Sequence, residues 1–217
     1  TTTLNASGGT NITLDEAASN FATVLVTAAN NVAITDVGAI DLGASTVSGT
    51  YDITAGGAIT DSGDLAITGA ASFTATGFAI TLDQAGSDFA AAVSLDGVNV
   101  AITDTNAIDL GASTVTGTLG VTAGGNVTDS GTLAVTGATT VSASGFDVTF
   151  DEAANNFQAG VGVTGANVTL VDTNALDLAA STVSGTYTVT AGGNVTDSGT
   201  LAITGAASIT ATGFDIT

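Results

Sequence analysis

The sequence predicts an all-β fold of the parallel β-helix (β-solenoid) type, on three observations. One long segment recurs three times within the 217 residues, at a constant offset of 68 in residue number. Short alternations of apolar and polar residues, such as VNVAIT and FDVTF, are bounded by Gly, Asn, Asp and Ser. Within each repeat an apolar residue recurs at spacings of 21 to 25 residues, a coil length that fits a parallel β-helix. Together these features indicate many short strands that stack by repetition.

The repeat is seen most directly in the segment ITLD at residues 12–15. It returns as ITLD at 80–83 and as VTFD at 148–151, and residues 80–147 and 148–215 are identical at 42 of 68 positions. No linker separates the units, so we predict one continuous solenoid segment, 1–217. Its divisions are 1–11 as the end of a preceding repeat, 12–79, 80–147 and 148–215 as three full repeats, and 216–217 as the start of the next.

A finer period lies inside each repeat, in an apolar residue that is followed by Thr in nine of ten cases. The spacings between these residues are 22, 25 and 21 in turn, and the apolar positions are Ile12, Ile34, Ile59, Ile80, Ile102, Val127, Val148, Leu170, Val195 and Ile216. Side chains alternate along a strand, so we expect these residues to point inward and their Thr neighbours outward. The spacing predicts about three coils per repeat and about ten rungs in total, stacked as one ladder.

The right-handed form is predicted because parallel crossovers are almost always right-handed. A left-handed hexapeptide helix requires coil lengths in multiples of six, which these spacings are not. A row of β-sandwich domains normally takes about 100 residues per domain, and the repeat found here is shorter than that. Phe21, Phe89 and Phe157 recur with the repeat and are expected to fill the core or its corners.

Charge excludes several functions, because the chain has 20 acidic residues and no Lys, Arg or His. Nucleic-acid binding requires cations to neutralise phosphates, and His, Cys and zinc chemistry lack their residues. The pairs Asp15-Glu16 and Asp151-Glu152 resemble glycosidase carboxylates, but the middle repeat has Asp83-Gln84. We therefore predict that the protein is not an enzyme. No stretch approaches about 18 consecutive apolar residues, so no membrane insertion is expected.

The candidate site is a series of aspartates, one just after the rung of every coil. Asp is a good turn-forming residue, but carboxylates on one corner would also repel each other and attract a cation such as Ca²⁺. Both interpretations stay open, and the second gives a possible weak Ca²⁺ corner ladder. Its members are Asp15, Asp36, Asp61, Asp83, Asp104, Asp129, Asp151, Asp172 and Asp197.

Segments such as GASTV (111–115) and GGNVTDSG (124–131) resemble the β-strand repeats of giant bacterial surface adhesins and exoproteins of the filamentous-haemagglutinin-like type. The resemblance covers nearly the whole chain. It implies a right-handed β-helical shaft, secreted unfolded and assembled at the cell surface.

The expected function is a rigid, protease-resistant structural shaft of an extracellular surface filament or adhesin. The expected partners are further copies or a covalent continuation of the same repeat, placed end to end. The alternative is a Ca²⁺-dependent surface-layer or matrix protein with Asp-lined cation sites.

Overall fold

The computed structural model describes all residues, 1–217, and contains thirty β-strands and no helix. In chain order the first ten strands are β1 (Thr2–Asn5), β2 (Ile12–Leu14), β3 (Thr23–Ala28), β4 (Val32–Asp36), β5 (Ile40–Leu42), β6 (Ser45–Val47), β7 (Tyr51–Ala55), β8 (Ile59–Asp61), β9 (Leu65–Ile67) and β10 (Ala71–Thr74). The next ten are β11 (Ile80–Leu82), β12 (Asp88–Phe89), β13 (Val93–Gly97), β14 (Val100–Asp104), β15 (Ile108–Leu110), β16 (Ser113–Val115), β17 (Leu119–Ala123), β18 (Val127–Asp129), β19 (Leu133–Val135) and β20 (Thr139–Ser142). The last ten are β21 (Val148–Phe150), β22 (Asn156–Phe157), β23 (Val161–Gly165), β24 (Val168–Asp172), β25 (Leu176–Leu178), β26 (Ser181–Val183), β27 (Tyr187–Ala191), β28 (Val195–Asp197), β29 (Leu201–Ile203) and β30 (Ala207–Ala211).

Two long parallel sheets form opposite sides of a solenoid. The front sheet is β1-β3-β5-β8-β11-β14-β17-β20-β23-β25-β28, and the back sheet is β2-β4-β7-β10-β13-β15-β18-β21-β24-β27-β30. Short strands complete a third side in some turns, namely β6, β9 and β12, then β16, β19 and β22, then β26 and β29. The prediction of an all-β parallel solenoid with about ten turns is confirmed. The structure contains no helix of the length and hydrophobicity needed to cross a membrane.

Each repeat makes three full turns and then a short passage to the opposite sheet. In the back sheet Val32 pairs with Tyr51, Tyr51 with Ala71 and Ala71 with Val93, so each turn is slightly longer than the one before it. Val100 follows only seven residues after Val93 and opens β14 in the front sheet. Val100 is the repeat equivalent of Val32, which lies in the back sheet. One repeat thus contains about three coils, as predicted, plus a half-turn.

The half-turn places equivalent strands of consecutive repeats on opposite sides of the solenoid. The first long strand of a repeat lies in the back sheet as β4, in the front sheet as β14 and again in the back sheet as β24. The expectation of one ladder through all ten apolar-Thr positions was therefore wrong. Ile34 lies in the back sheet and Ile59 in the front sheet, because the chain between them includes a passage from one sheet to the other.

The core is one continuous cluster of 49 buried apolar residues along the solenoid axis. Strand β4 shows the expected alternation, with Ile34 buried and Thr35 on the outer side. Phe89 and Phe157 are buried, which confirms their predicted place in the core. Phe89 meets Phe73 edge to face at 6.0 Å between ring centroids. Aromatic pairs in this geometry add about 0.5–1.5 kcal/mol beyond the area they bury.

Candidate functional site

The nine predicted aspartates divide into a buried set and an exposed set. Five stand as the last residue of a strand and point into the solenoid, namely Asp36, Asp61, Asp104, Asp129 and Asp172. The other four are exposed, namely Asp15, Asp83, Asp151 and Asp197. An inward carboxylate at the end of a strand has to find hydrogen-bond donors, because burying it without partners is costly.

Asp104 shows how the buried carboxylates are satisfied. Its Oδ2 accepts a hydrogen bond from the backbone N–H of Phe89 at 2.7 Å, and its Oδ1 accepts one from the N–H of Asn106 at 2.6 Å. The first bond reaches back fifteen residues to the preceding turn, and the second closes the local turn. We call this arrangement an Asp clip, because one carboxylate joins two turns of the solenoid.

The clip recurs at the same place in the other two repeats. Asp172 accepts hydrogen bonds from the N–H groups of Phe157 and Asn174, both at 2.6 Å. Asp36 accepts from the N–H of Phe21 and, at 2.7 Å, from that of Gly38. Asp36, Asp104 and Asp172 therefore form one structural feature with the period of the repeat.

The remaining buried pair, Asp61 and Asp129, anchors the loop of the following turn. Asp61 accepts hydrogen bonds from the N–H of Asp83 at 3.0 Å and of Gln84 at 3.4 Å. Asp129 accepts one from the N–H of Asp151 at 2.9 Å and one from the side-chain amide of Asn155 at 2.5 Å. These contacts bring two pairs of the predicted series together, Asp61 with Asp83 and Asp129 with Asp151.

Burial shifts the ionisation of these side chains. Desolvation raises the pKa of Asp61, Asp104, Asp129 and Asp172 above the ordinary aspartate value, and hydrogen bonds from backbone N–H groups offset part of the rise. The negative charge of Asp83 raises the pKa of Asp61 further. Each of these groups therefore binds its proton more readily in the folded chain than in an unfolded one.

The nine aspartates do not follow a single corner. Asp61, Asp104 and Asp197 end front-sheet strands, whereas Asp36, Asp129 and Asp172 end back-sheet strands; Asp83 follows the front strand β11, and Asp15 and Asp151 follow the back strands β2 and β21. No group of three or more acidic side chains is arranged to hold a metal ion. The contacts are those of turn-forming residues, and the Ca²⁺ ladder stays a prediction for experiment.

The outer surface has a second regular feature, which we call the broad face. It consists of the outward side chains of the long strands of one repeat. We count each repeat here from its first long strand, β4, β14 or β24. The broad face of the second repeat is then formed by β14, β17, β20 and β23 of the front sheet, with outward residues Ala101, Thr103, Gly120, Thr122, Thr140, Ser142, Gly162 and Thr164. In the third repeat β24, β27 and β30 of the back sheet present Thr169, Val171, Thr188, Thr190, Ser208 and Thr210.

Opposite each broad face lies a narrow face of short strands, and the two differ in their hydroxyl contacts. On the narrow face of the second repeat, Ser130 donates to Asp109 at 2.7 Å and Thr128 donates to the same carboxylate at 3.4 Å. The hydroxyls on the broad faces of the second and third repeats make no hydrogen bond within the protein. A shallow trough of about 260 Å³ crosses the broad face of the second repeat, over Thr122, Thr140 and their neighbours.

An exposed phenylalanine follows the third strand of every broad face. Phe78, Phe146 and Phe214 are 47%, 42% and 53% exposed. Each follows a glycine in the left-handed region, such as Gly77 with φ of 86°, and the N–H of Phe78 bonds to the carbonyl of Ala75 at 2.8 Å. This tight turn holds the ring outside the core. The sequence prediction missed these residues, although their recurrence at the period of the repeat was available as a signal.

The chain is a repetitive parallel β-solenoid, and its buried aspartates accept hydrogen bonds from backbone N–H groups of its own turns. The chain belongs to the family described as repeats of unknown function (DUF5649), whose sequence profile matches residues 29–96, 97–164 and 165–217. These units recur at the same period as the repeats found in the sequence, and they begin at residue 29 rather than residue 12. No curated protein and no solved structure matches the chain significantly.

Proposed function

We propose that this chain is part of a rigid structural shaft of an extracellular surface filament or adhesin. The observation that carries the proposal is the uninterrupted stacking of two parallel sheets over a single core of 49 residues. Such a column resists bending, because every turn shares a core and backbone ladders with its neighbours. The concave regions of the surface are shallow troughs of about 190 to 260 Å³.

A location outside the cell is supported by composition. The chain offers no Lys or Arg, so trypsin-like proteases have no cleavage site even in unfolded segments. The structure adds 132 hydrogen bonds between backbone groups, which protect the folded chain from proteases of other specificity. The chain has no Cys and therefore no disulfide bonds. Its resistance to unfolding outside the cell then depends on core packing and on the hydrogen bonds between stacked strands.

Further copies or a covalent continuation of the repeat are the proposed partners along the axis. The internal register supports this proposal, because β20 pairs in parallel with β17 of the turn before it and with β23 of the turn after it. A further repeat would stack in the same register, since every turn presents a parallel strand edge to the next.

Small-angle X-ray scattering tests the proposed shaft. Ten steps of about 4.8 Å between turns give a rod of roughly 48 Å, and a tandem fusion of two copies of the chain is expected to double the length at constant cross-section. A fusion that instead folds back into a particle of greater cross-section would refute the shaft. A fusion in which the two copies join through a flexible kink would refute the proposed axial continuation alone.

A further inference from the structure

We propose that this solenoid carries N-linked sugars on asparagines at its corners. The acceptor motif for this modification is Asn-X-Ser/Thr, in which X is any residue except Pro. The segment NVT supplies the motif at Asn126, Asn167 and Asn194, and two further copies begin at Asn5 and Asn11. This inference goes beyond the proposed shaft, because it concerns covalent chemistry at the surface rather than the mechanical role of the column.

The fold holds two of these asparagines by their oxygen atoms and leaves their nitrogen atoms free. Oδ1 of Asn126 accepts a hydrogen bond from the backbone N–H of Asp147 at 3.1 Å, and Oδ1 of Asn194 accepts one from the N–H of Asp215 at 3.2 Å. Nδ2 of both asparagines makes no hydrogen bond within the protein. An N-linked sugar is attached to Nδ2, so the modification leaves the contact of Oδ1 with the next turn intact.

The hydroxyl of the motif lies on the same side of the chain as the asparagine. Asn126 and Thr128 are exposed, and Val127 between them is fully buried. This alternation places the amide and the hydroxyl about 6.7 Å apart along one strand. The contact of the Thr128 hydroxyl with Asp109 is long, at 3.4 Å. Both groups of the motif are therefore open to one enzyme in the folded chain.

The reaction transfers a sugar from a donor that is activated at C1 by a phosphate or pyrophosphate group. Nδ2 forms a bond to C1, the bond between C1 and the phosphate oxygen breaks, and the leaving phosphate keeps the electron pair. Nδ2 gives one proton to a base of the transferase, and no atom is oxidised or reduced. The chain supplies only the acceptor, because it has no Lys, Arg or His to pair with the anionic donor.

The position of these asparagines also brings the sugar close to an exposed aromatic ring. Asp147, which donates to Asn126, directly follows the exposed Phe146. The third repeat has the same arrangement of Asn194 and the exposed Phe214. A sugar at either site lies beside the tight turn that holds the ring outside the core, and it shields an apolar surface that the fold leaves in water.

The chain contains a matched corner without the motif. Oδ1 of Asn99 accepts a hydrogen bond from the N–H of Thr118 at 3.0 Å, and Oδ1 of Asn167 accepts one from the N–H of Thr186 at the same distance. Asn99 is followed two residues later by Ala101, which has no hydroxyl. Asn99 thus shares the corner geometry of Asn167 but is not an acceptor, so it separates recognition of the motif from exposure of the asparagine.

The test is mass spectrometry of the protein purified from the cells that produce it. The chain has no Lys or Arg, so it is cleaved at its acidic residues instead of with trypsin. Electron-transfer fragmentation keeps sugars attached and assigns each one to a residue. We expect sugar on Asn126, Asn167 and Asn194, and none on Asn31 and Asn99.

Variants expressed in the same cells sharpen the test. Thr128→Ala should abolish the sugar on Asn126, whereas Thr128→Ser should retain it, because serine preserves the motif. Ala58→Asn completes a motif with Thr60 at the position equivalent to Asn126, and Ala101→Thr completes one for Asn99. Each of these two variants should gain one sugar.

Three results would overturn the proposal. The first is a native protein that carries no sugar on Asn126 and Asn194. The second is sugar attached to Thr128 or other hydroxyls instead of the asparagines. The third is equal modification of Asn99 and Asn167, which would mean that the motif is not recognised. None of these results bears on the rod dimensions measured by scattering, so the shaft proposal is judged separately.

Discussion

Removing one Asp clip is expected to destabilise the solenoid far more than removing an exposed aspartate. In Asp104→Ala two backbone N–H groups lose their acceptor, that of Phe89 in the buried interior and that of Asn106, a residue of the exposed turn. A buried donor without a partner costs about 1–3 kcal/mol. The N–H of Asn106 can bond to water instead, so the expected loss in the free energy of unfolding is about 1–3 kcal/mol, which is the cost of leaving the Phe89 N–H without an acceptor.

Urea denaturation followed by circular dichroism measures this loss, and the chain contains its own control. Asp109 is similar in chemistry but lies on the outer surface, where it accepts only from the exposed side chains of Ser130 and Thr128. Asp109→Ala should change stability by less than about 0.5 kcal/mol. Asp104→Asn should fall between the two, since its amide oxygen retains one acceptor.

Equivalent variants in the other two repeats test whether the hydrogen bonds of the clip stabilise the fold. Asp36 and Asp172 make equivalent contacts, so their alanine variants should shift the urea midpoint in the same direction. If all three clip variants match Asp109→Ala, the hydrogen bonds of the clip contribute nothing to stability. The aspartates would then be tolerated at these positions rather than required there.

Three further predictions follow from ionisation, burial and charge. The four buried aspartates with raised pKa values bind protons more tightly in the folded chain than in the unfolded one. The melting temperature should therefore rise as pH falls from 7 towards about 4, where the carboxylates of the unfolded chain also become protonated. A melting temperature that decreases over that pH range at constant ionic strength would contradict this prediction. The hydroxyl of Thr139 is buried without a hydrogen-bond partner, so Thr139→Val should stabilise the chain by about 1 kcal/mol, with exposed Thr122→Val near zero as control. If Ca²⁺ bridges the aspartates, CaCl₂ should raise the calorimetric melting temperature relative to EDTA by more than an equal ionic strength of NaCl does, and equal shifts would exclude the calcium ladder.

The fold was largely predictable because its determinants are local and repeated. Alternation within segments such as 32–36 specifies which side chains enter the core, and repetition specifies that the strands stack in parallel. The half-turn was not predictable from the apolar-Thr spacing, since a strand carries the same pattern in either sheet. Only the register shows the passage, which occupies the six residues between Val93 and Val100.

The aspartates illustrate a second limit of sequence reasoning. Their position just after an apolar-Thr pair was evident, but the segments ITD and ITLD place the carboxylate on opposite sides of the chain. In β4, β8 and β14 the Asp follows Thr directly and points inward, whereas the extra apolar residue before Asp15 and Asp83 moves those carboxylates outward. Alternation along the strand accounts for this difference. At least one donor to each buried carboxylate comes from another turn, and its position depends on the register of the strands.

The half-turn also bears on the shape of a long shaft. A single repeat is asymmetric, because its turns lengthen from the first to the third and its long strands lie on one side only. If every repeat had the same orientation, this asymmetry would accumulate, and a small tilt per unit would curve the solenoid. Rotation by a half-turn places the next repeat's long strands on the opposite side, so a tilt produced by β4 to β13 would be offset by an opposite tilt from β14 to β23. A straight rod is therefore the expected form of many such repeats, with a true axial period of two units.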